Sequence, residues 1–187
     1  HPRVLALDPH SGFYTEDIMD FWRPNYREEA LVDGKYSTRM YLTTLIEAWN
    51  DYQAQSGRGL ADHAHYCFHL PFTKIAYKSL ERLHKAAGVP LPPKEEQHRL
   101  VDYALRYNRL TGNTYAACLY EALTALLDHA PTPLDGQRLG LFSYGSGCMA
   151  EFFSGVVQRG YRQHLFTEQL RAELDSRVAL TYRQYED

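Results

Sequence analysis

The stretch YCFHLPFTKIAYKSLERL, residues 66–83, predicts the change from strand to helix on which the fold depends. With His65 before it, the stretch opens on the aromatic run HYCFH, which is typical of a short buried strand. Pro71 then fits the first turn of a helix, which we expect to continue to about Ala87, before the breaker GVP. A strand that leads directly into a helix favours a layered α/β domain.

The rest of the chain predicts further helices and one hairpin. The segments RLGLFSY and CMAEFFSGVVQ predict two antiparallel strands joined by the tight turn GSG. Residues 1–36 mix turn formers with aromatic residues and are expected to be irregular, and Ser37 fits an N-cap. Apolar residues at helical spacing predict helices over residues 38–52, 94–107, 113–128 and, as one or two helices, 166–185.

Composition limits the classes of function. The chain has 187 residues, 44% of them hydrophobic and 23% charged, which favours a folded soluble domain. A formal net charge of -3 argues against broad nucleic-acid binding. No apolar run is long enough to span a bilayer and no signal peptide is visible, so we expect a cytoplasmic protein without a membrane partner. Because the chain begins with His1 rather than Met, we expect a fragment or a processed chain.

His69 is the first candidate for chemistry. It follows the predicted strand at its carboxyl end, the edge where open α/β sheets bind ligands. The start of a helix after it would favour the neutral imidazole, which can polarise a carbonyl group or carry a proton. A structural histidine that donates to a backbone carbonyl explains the position equally well, and the residue alone does not choose between the two.

A metal site on the same strand is not favoured. His63, His65, Cys67 and His69 alternate along one predicted face. Alternate residues of a strand lie about 7 Å apart, so neighbours could share an ion but all four could not. No Asp or Glu stands where it would complete a ligand set.

Lys74 and Lys78 lie one turn apart on the predicted helix, and Arg82 continues the row. Such a row suits a phosphate-bearing ligand, although an ordinary solvated helix face would look the same.

Two polar residues beside glycines are further candidates. Asn113 fits either an N-cap or an amide that binds a carbonyl oxygen, and Ser146 lies in a turn that allows close approach to a ligand.

A cysteine or serine nucleophile is not evident. The segment YGSGC lacks the G-x-S-x-G pattern of a hydrolase elbow. The three cysteines, Cys67, Cys118 and Cys148, have no CxxC spacing, which favours reduced and buried thiols. Cys118 and Cys148 are interpreted as small core residues, because neither has an activating neighbour in the sequence.

Taken together, four segments resemble one enzyme family. These are DFWRPNYREEALVDGKYSTRMYLTTLIEAW, FHLPFTKIAYKSL, TGNTYAACLY and LFSYGSGCMAEFF, in this order. Their wording and separations resemble the 3-hydroxy-3-methylglutaryl-CoA synthases from about residue 20 to 157, and FWRPNY looks closest to the polyketide β-branching synthases. The resemblance implies an α/β, thiolase-like fold with a mixed sheet and packed helices, of which residues 1–187 would be the carboxyl-terminal half.

The resemblance also implies a reaction. An acetyl group on a cysteine, deprotonated by a glutamate, would condense with the β-keto carbonyl of an acyl thioester. His69 matches the catalytic histidine of the family, Asn113 and Ser146 match residues that hold the acyl thioester, and Lys74 and Lys78 match lysines that meet phosphates of CoA. Ser37 would touch the pantetheine arm.

Several partners follow from the same resemblance. No cofactor or metal is implied, since CoA or phosphopantetheine thioesters are substrates. An acyl carrier protein is the expected carrier, and CoA in a mevalonate-pathway enzyme is the alternative. The cysteine nucleophile and glutamate base belong to an amino-terminal half, so this chain alone is expected to be inactive, and a homodimer is expected. A non-catalytic module that binds acyl carriers and a metal-dependent hydrolase are the competing interpretations.

Overall fold

The computed structural model describes residues 2–186 and contains one mixed sheet, one small ribbon and seven α-helices. The strands are β1 (Leu5–Thr15), β2 (Phe21–Trp22), β3 (Leu31–Val32), β4 (His65–Phe68), β5 (Arg138–Gly145) and β6 (Met149–Val157). The helices are α1 (Gly34–Ser56), α2 (Ile75–Ala86), α3 (Lys94–Val101), α4 (Asn108–Thr111), α5 (Ala117–His129), α6 (Thr167–Asp175) and α7 (Tyr182–Glu186). No helix in this range is both long and apolar enough to cross a bilayer.

The main sheet has the strand order β1-β6-β5-β4. β1 and β5 both pair antiparallel with β6, which confirms the predicted hairpin. β4 pairs parallel with β5, in a register that sets Phe68 opposite Phe142. Parallel strands need a long crossover connection, and here helices α2 to α5 form the connection between β4 and β5. The carboxyl ends of β4 and β5 therefore meet at one edge of the sheet.

Helices cover both faces of this sheet near β4. On one face α1 packs Trp49 against Phe152 at a ring distance of 4.9 Å. On the other face His65 contacts the carbonyl oxygen of Arg99, in α3, through Nδ1 at 2.8 Å. All four residues of β4 are buried as a result, which explains why the strand shows no alternation of polar and apolar residues.

The first helix lies unusually close to the edge strand. A Cβ atom at Gly12, in β1, would stand 2.1 Å from the carbonyl oxygen of Ala48 and 2.1 Å from the amide nitrogen of Tyr52. Only glycine permits this contact between strand and helix backbones. Gly12 thus allows α1 to bury its aromatic face on the sheet, and α1 in turn forms one wall of the cavity described below.

The expectation that residues 1–36 are irregular is wrong. β1 alone spans 11 residues there and pairs along β6. The strand was missed because it lies at the sheet edge and its pairing is interrupted between Leu7 and Ser11, around Pro9. Proline is tolerated at such an irregular edge position, whereas it normally argues against a strand.

Three predicted helix starts are also wrong. α1 begins at Gly34, with Asp33 as its N-cap accepting from the amide of Tyr36 at 3.0 Å, so Ser37 lies inside the helix. α2 begins at Ile75 rather than Pro71, because the chain first makes a turn in which Ile75 donates to the carbonyl of Phe72.

The helix predicted from residue 113 begins at Ala117, because Gly112 and Tyr115 have positive φ angles of 78° and 55°. The helix predicted over residues 94–107 stops being α-helical after Val101 and continues as a 3₁₀ turn, Asp102–Leu105. Two closing helices, α6 and α7, follow as predicted.

Candidate functional site

A cavity of about 560 Å³ opens at the carboxyl edge of β4 and β5. Its walls come from α1, the β4–α2 turn, the loop before α5, the β5–β6 turn and the small β2–β3 ribbon. The lining residues are Phe21, Val32, Gly34, Ser37, Thr38, Tyr41, His69, Pro71, Phe72, Ile75, Asn113, Tyr115, Ala116, Tyr144, Gly145 and Ser146. Four of the predicted site residues, His69, Asn113, Ser146 and Ser37, therefore share one cavity, at the sheet edge where the sequence analysis expected a ligand.

The main chain of His69 is fixed on both sides. Its N–H donates to the carbonyl of Phe142 at 2.7 Å, which extends the β4–β5 ladder by one residue. Its carbonyl accepts from the hydroxyl of Tyr41 at 2.7 Å. Burial lowers the pKa of His69 to about 4, so the ring is neutral near pH 7. The neutral form was predicted, but from the effect of a helix that would start directly after His69. That helix begins only at Ile75, so desolvation is the cause of the lowered pKa.

Cys118 contacts the ring of His69. Its Sγ lies 3.2 Å from Nδ1 of the histidine and accepts from the amide of Leu70 at 3.0 Å. Among the described residues Nε2 has no hydrogen-bond partner, and the ring lines the cavity. Cys118 is buried, as predicted, but its contact with a site residue was missed. The only signal was topological, since the amino end of the helix after Asn113 had to reach the sheet edge that carries His69.

A buried carboxylate, missed by the sequence analysis, organises the other side of the cavity. Asp20 accepts from the hydroxyls of Ser37 at 2.8 Å and Tyr144 at 2.7 Å, and from the amide of Gly147 at 3.0 Å. Burial by itself would raise the pKa of Asp20, but these hydrogen bonds, with one from Ser146, hold it below its usual value. Asp20 therefore ties α1 to the β5–β6 turn. Its signal was its place at the start of the segment DFWRPNY.

The hydrogen bonds of Ser37 and Asn113 limit what each can offer a ligand. The hydroxyl proton of Ser37 is committed to Asp20, which leaves the oxygen as an acceptor. The side-chain oxygen of Asn113 accepts from the amide of Tyr115 at 2.9 Å, which leaves the NH₂ group as a donor. Ser146 is exposed in the β5–β6 turn. The cavity thus presents donors from Asn113 and an acceptor from Ser37.

The two predicted lysines lie outside this cavity. Lys74 is the N-cap residue of α2 and Lys78 stands in its first turn, and both are exposed. Nζ of Lys78 lies 5.8 Å from the ring centre of Phe72, which does line the cavity. Lys78 and Arg82 also border a second hollow of about 400 Å³ with Leu42, Glu81 and Lys85. Lys78 therefore lies beside a residue of the cavity wall, and neither lysine lines the cavity with His69.

The other histidines of the predicted strand face do not converge. The ring of His63 bonds Gly59 and Tyr52, and that of His65 bonds Arg99. Over residues 2–186 no three or more His, Cys, Asp or Glu side chains are grouped so that they could hold a metal ion.

Comparison with known proteins identifies similar sequences and structures. The family model for "Hydroxymethylglutaryl-coenzyme A synthase C terminal" matches residues 5–90 and 92–187. A hydroxymethylglutaryl-CoA synthase of Enterococcus faecalis is 38% identical over 188 residues, which cover 99% of this chain and 48% of that protein. The polyketide biosynthesis 3-hydroxy-3-methylglutaryl-ACP synthase PksG of Bacillus subtilis is 32% identical over 195 residues, covering 100% of this chain and 45% of PksG.

A solved structure agrees with these sequences. The crystal structure of an HMG-CoA synthase complexed with CoA superposes with a TM-score of 0.87 at 38% identity, over 99% of this chain and 47% of that one. The α/β, thiolase-like fold that the resemblance implied is confirmed. The chain spans about half the length of the curated relatives it matches.

Proposed function

Because the chain belongs to the hydroxymethylglutaryl-coenzyme A synthase family, we propose that residues 1–187 form the carboxyl-terminal part of such an enzyme. The complete enzyme would join an acetyl group to the β-keto carbonyl of an acyl thioester and give a 3-hydroxy-3-methylglutaryl-type product. This chain would supply the groups that bind and polarise the acceptor. An amino-terminal half would supply the nucleophilic cysteine and the basic glutamate, as the resemblance implies.

The observation that carries the proposal is that only one of the two ring nitrogens of His69 has a hydrogen-bond partner among the described residues. A neutral imidazole with Nδ1 bonded and Nε2 open to a cavity can offer one nitrogen to a ligand. In the proposed step the acetyl carbanion attacks the ketone carbon while Nε2–H donates to the ketone oxygen. As the C–C bond forms, the oxygen becomes an alkoxide and takes that proton, and the ring regains a proton at Nε2 from the glutamic acid that formed when the base deprotonated the acetyl group. A positioned acid of this kind contributes about 10²–10⁴ in rate.

The remaining cavity residues suit a pantetheine thioester. The free NH₂ group of Asn113 can donate to the thioester carbonyl oxygen, and the hydroxyl of Ser146, when it rotates away from Asp20, can donate to the same oxygen from the opposite loop. The Ser37 oxygen can accept from an amide N–H of the pantetheine arm, because its own proton is held by Asp20. We propose these roles for the three residues. Lys74 and Lys78, exposed outside the cavity, would meet the phosphate at the other end of the arm.

We expect the 187-residue chain alone to form no product. Burial raises the pKa of the thiols of Cys67, Cys118 and Cys148, so none of them offers a ready thiolate. A covalent acetyl intermediate needs such a nucleophile. Product formed by rigorously purified chain would overturn this expectation. A homodimer remains a further inference from the resemblance.

The function is tested with the complete enzyme, an acetyl thioester and either acetoacetyl-CoA or an acetoacetyl carrier protein. We expect a product heavier than the acceptor by one acetyl unit plus water, detected by mass spectrometry, after transient acetylation of the protein. Acetylation without product, or neither event, would contradict the proposed condensation and favour a non-catalytic module that binds acyl carriers.

The same assay decides the carrier. The FWRPNY wording favours a carrier protein, whereas the higher identity to the Enterococcus synthase, 38% against 32% for PksG, favours CoA. The prediction remains that a carrier protein is preferred. Equal or better kcat/KM with acetoacetyl-CoA would reject it and leave the condensation itself intact.

A further inference from the structure

Two polar groups from outside α5 lie within hydrogen-bond distance of the Cys118 sulfur, and each constrains the position of the thiol proton differently. Leu70 can only donate its amide proton, so Sγ is the acceptor in that contact at 3.0 Å. Nδ1 of His69, at 3.2 Å, can either donate to the sulfur or accept from it. Which of these occurs decides which nitrogen of the ring carries the proton.

The proton on sulfur favours one arrangement. Burial raises the pKa of Cys118, so the group is a thiol with one S–H to place. Among the described residues the structure gives the sulfur no hydrogen-bond acceptor except Nδ1 of His69. If Nδ1 carried its own proton, the sulfur would accept from both His69 and Leu70, and the S–H would turn away to a position where it has no acceptor. With the S–H donating to Nδ1, every donor has an acceptor.

We propose that Cys118 is a positioning residue that holds His69 as the Nε2–H tautomer. The inference rests on the proposed function and deepens it, because that tautomer makes the histidine a hydrogen-bond donor toward the acceptor ketone. The opposite tautomer would turn a lone pair toward the ketone oxygen and repel it. Tyr41 and Phe142 fix the main chain of His69, and Cys118 is the hydrogen-bond partner of its ring among the described residues, so Cys118 bears on the proton position of the ring.

The comparison with Cys67 separates this role from mere packing. Cys67 is equally buried, and burial alone raises its pKa. The structure gives Cys67 no side-chain hydrogen bond within the described residues. Cys67→Ala therefore removes a similar sulfur from the same core and leaves His69 untouched, which makes it the matched control.

The direct test reads the tautomer by NMR. The full chain is labelled with ¹⁵N-histidine, and the ring signals of His69 are assigned by their loss in His69→Gln. We expect the Nε2–H pattern of two-bond and three-bond couplings in the wild type and in Cys118→Ser. In Cys118→Ala the ratio of Nε2–H to Nδ1–H should fall by about fivefold to tenfold, the equivalent of one net hydrogen bond. Cys67→Ala should match the wild type.

An Nδ1–H pattern in the wild type overturns the proposal, even if Cys118→Ala fails to fold. An unchanged ratio in a folded Cys118→Ala overturns it too. Neither result bears on whether the enzyme condenses thioesters, so the failure of this inference and of the proposed function are distinguishable.

The kinetic arm uses the complete enzyme. Cys118→Ala should lower kcat for condensation in proportion to the fraction of Nε2–H tautomer lost in the NMR experiment, by at most about fivefold to tenfold, with KM nearly unchanged, and Cys118→Ser should restore most of it. A purely structural role predicts instead that Cys67→Ala and Cys118→Ala lose activity together, in proportion to their loss of stability. That result would contradict the positioning role.

Discussion

His63 and His69 lie six residues apart, at the two ends of the same buried strand, yet their surroundings differ in one decisive respect. Burial lowers the pKa of each to about 4, so both are neutral near pH 7. The Nδ1–H of His63 donates to the carbonyl of Gly59 at 3.0 Å, and Nε2 accepts from the hydroxyl of Tyr52 at 3.0 Å. His69 has a partner on Nδ1 only, and its other nitrogen meets a cavity.

The difference shows how to separate a structural histidine from a functional one. A perturbed pKa does not do so here, since desolvation acts equally on both rings. Hydrogen-bond completeness does, because a ring nitrogen that has no protein partner and faces a cavity is available to bond a ligand. On this criterion His63 belongs to the core and His69 to a site.

The largest difference between the two histidines is expected when each is substituted in the complete enzyme. His69→Ala should lower the rate of condensation by about 10²–10⁴ because it removes the proposed acid, while acetyl loading on the distant cysteine continues. Acetyl-enzyme is measured by intact mass, and condensation by product formation. His63→Gln, whose amide can still bond Tyr52 and Gly59, should keep both activities. Near-normal condensation by His69→Ala would reject its role.

Much of this site was predictable because the signals are local. The strand HYCFH, the hairpin around GSG and the position of His69 at a strand end all follow from short patterns, and β4, β5 and β6 confirm them. The family resemblance then identified Asn113, Ser146 and Ser37, which the structure brings into one cavity with His69.

The missed features depend on contacts between distant segments. β1 is stabilised by pairing with β6 and by the fit of Gly12 under α1, and no local pattern within residues 1–36 reveals either. Asp20 and Cys118 were missed for the same reason. Each acts on residues at least 17 positions away, such as Ser37 and His69. Their residue types carry no spacing rule, so only the folded chain identifies their partners.

The second prediction concerns pH, where the two histidines should behave alike. An unfolded histidine takes up a proton near pH 6.5, but the folded rings of His63 and His69 do so only near pH 4. The stabilising effect is therefore present above pH 6.5 and is lost as the pH falls from 6.5 toward 4, by about 2–3 kcal/mol for each ring. His65, also lowered by burial, adds to the loss.

Urea unfolding of the 187-residue chain at pH 7 and pH 4.5 measures this loss. His63→Gln should reduce the difference between the two free energies of unfolding without affecting condensation. Equal pH dependence in wild type and variant would mean that His63 takes up its proton at the same pH in the folded and unfolded protein, which would remove the parallel between the two rings.

The third prediction uses two buried tyrosines, each of which bonds one of the histidines. Tyr52→Phe removes the partner of His63, and Tyr41→Phe removes the donor to the carbonyl of His69. Each should cost about 1–3 kcal/mol of unfolding free energy, because a buried acceptor is left unpaired. Only Tyr41→Phe should also lower kcat in the complete enzyme, since it frees the main chain of His69. A loss of kcat in Tyr52→Phe matching that in Tyr41→Phe would refute the separation of core from site.

The smallest effect on activity is expected from substitutions outside the cavity, where exposed side chains can form hydrogen bonds with solvent. Lys74 and Lys78 are exposed, so a phosphate that binds them replaces solvent rather than filling a buried vacancy. Contacts of this kind contribute about 0.2–1 kcal/mol each. Lys74→Ala combined with Lys78→Ala should therefore raise KM for the acceptor thioester about threefold to tenfold and leave kcat unchanged, the pattern of lost uniform binding. The increase should shrink as salt is raised, because the lost attraction is screened.

Lys94→Ala, at an exposed lysine that lines neither hollow, is the control. Equal KM values in all three proteins at low salt would remove the lysines from the binding site while leaving the assignment of His69 untouched.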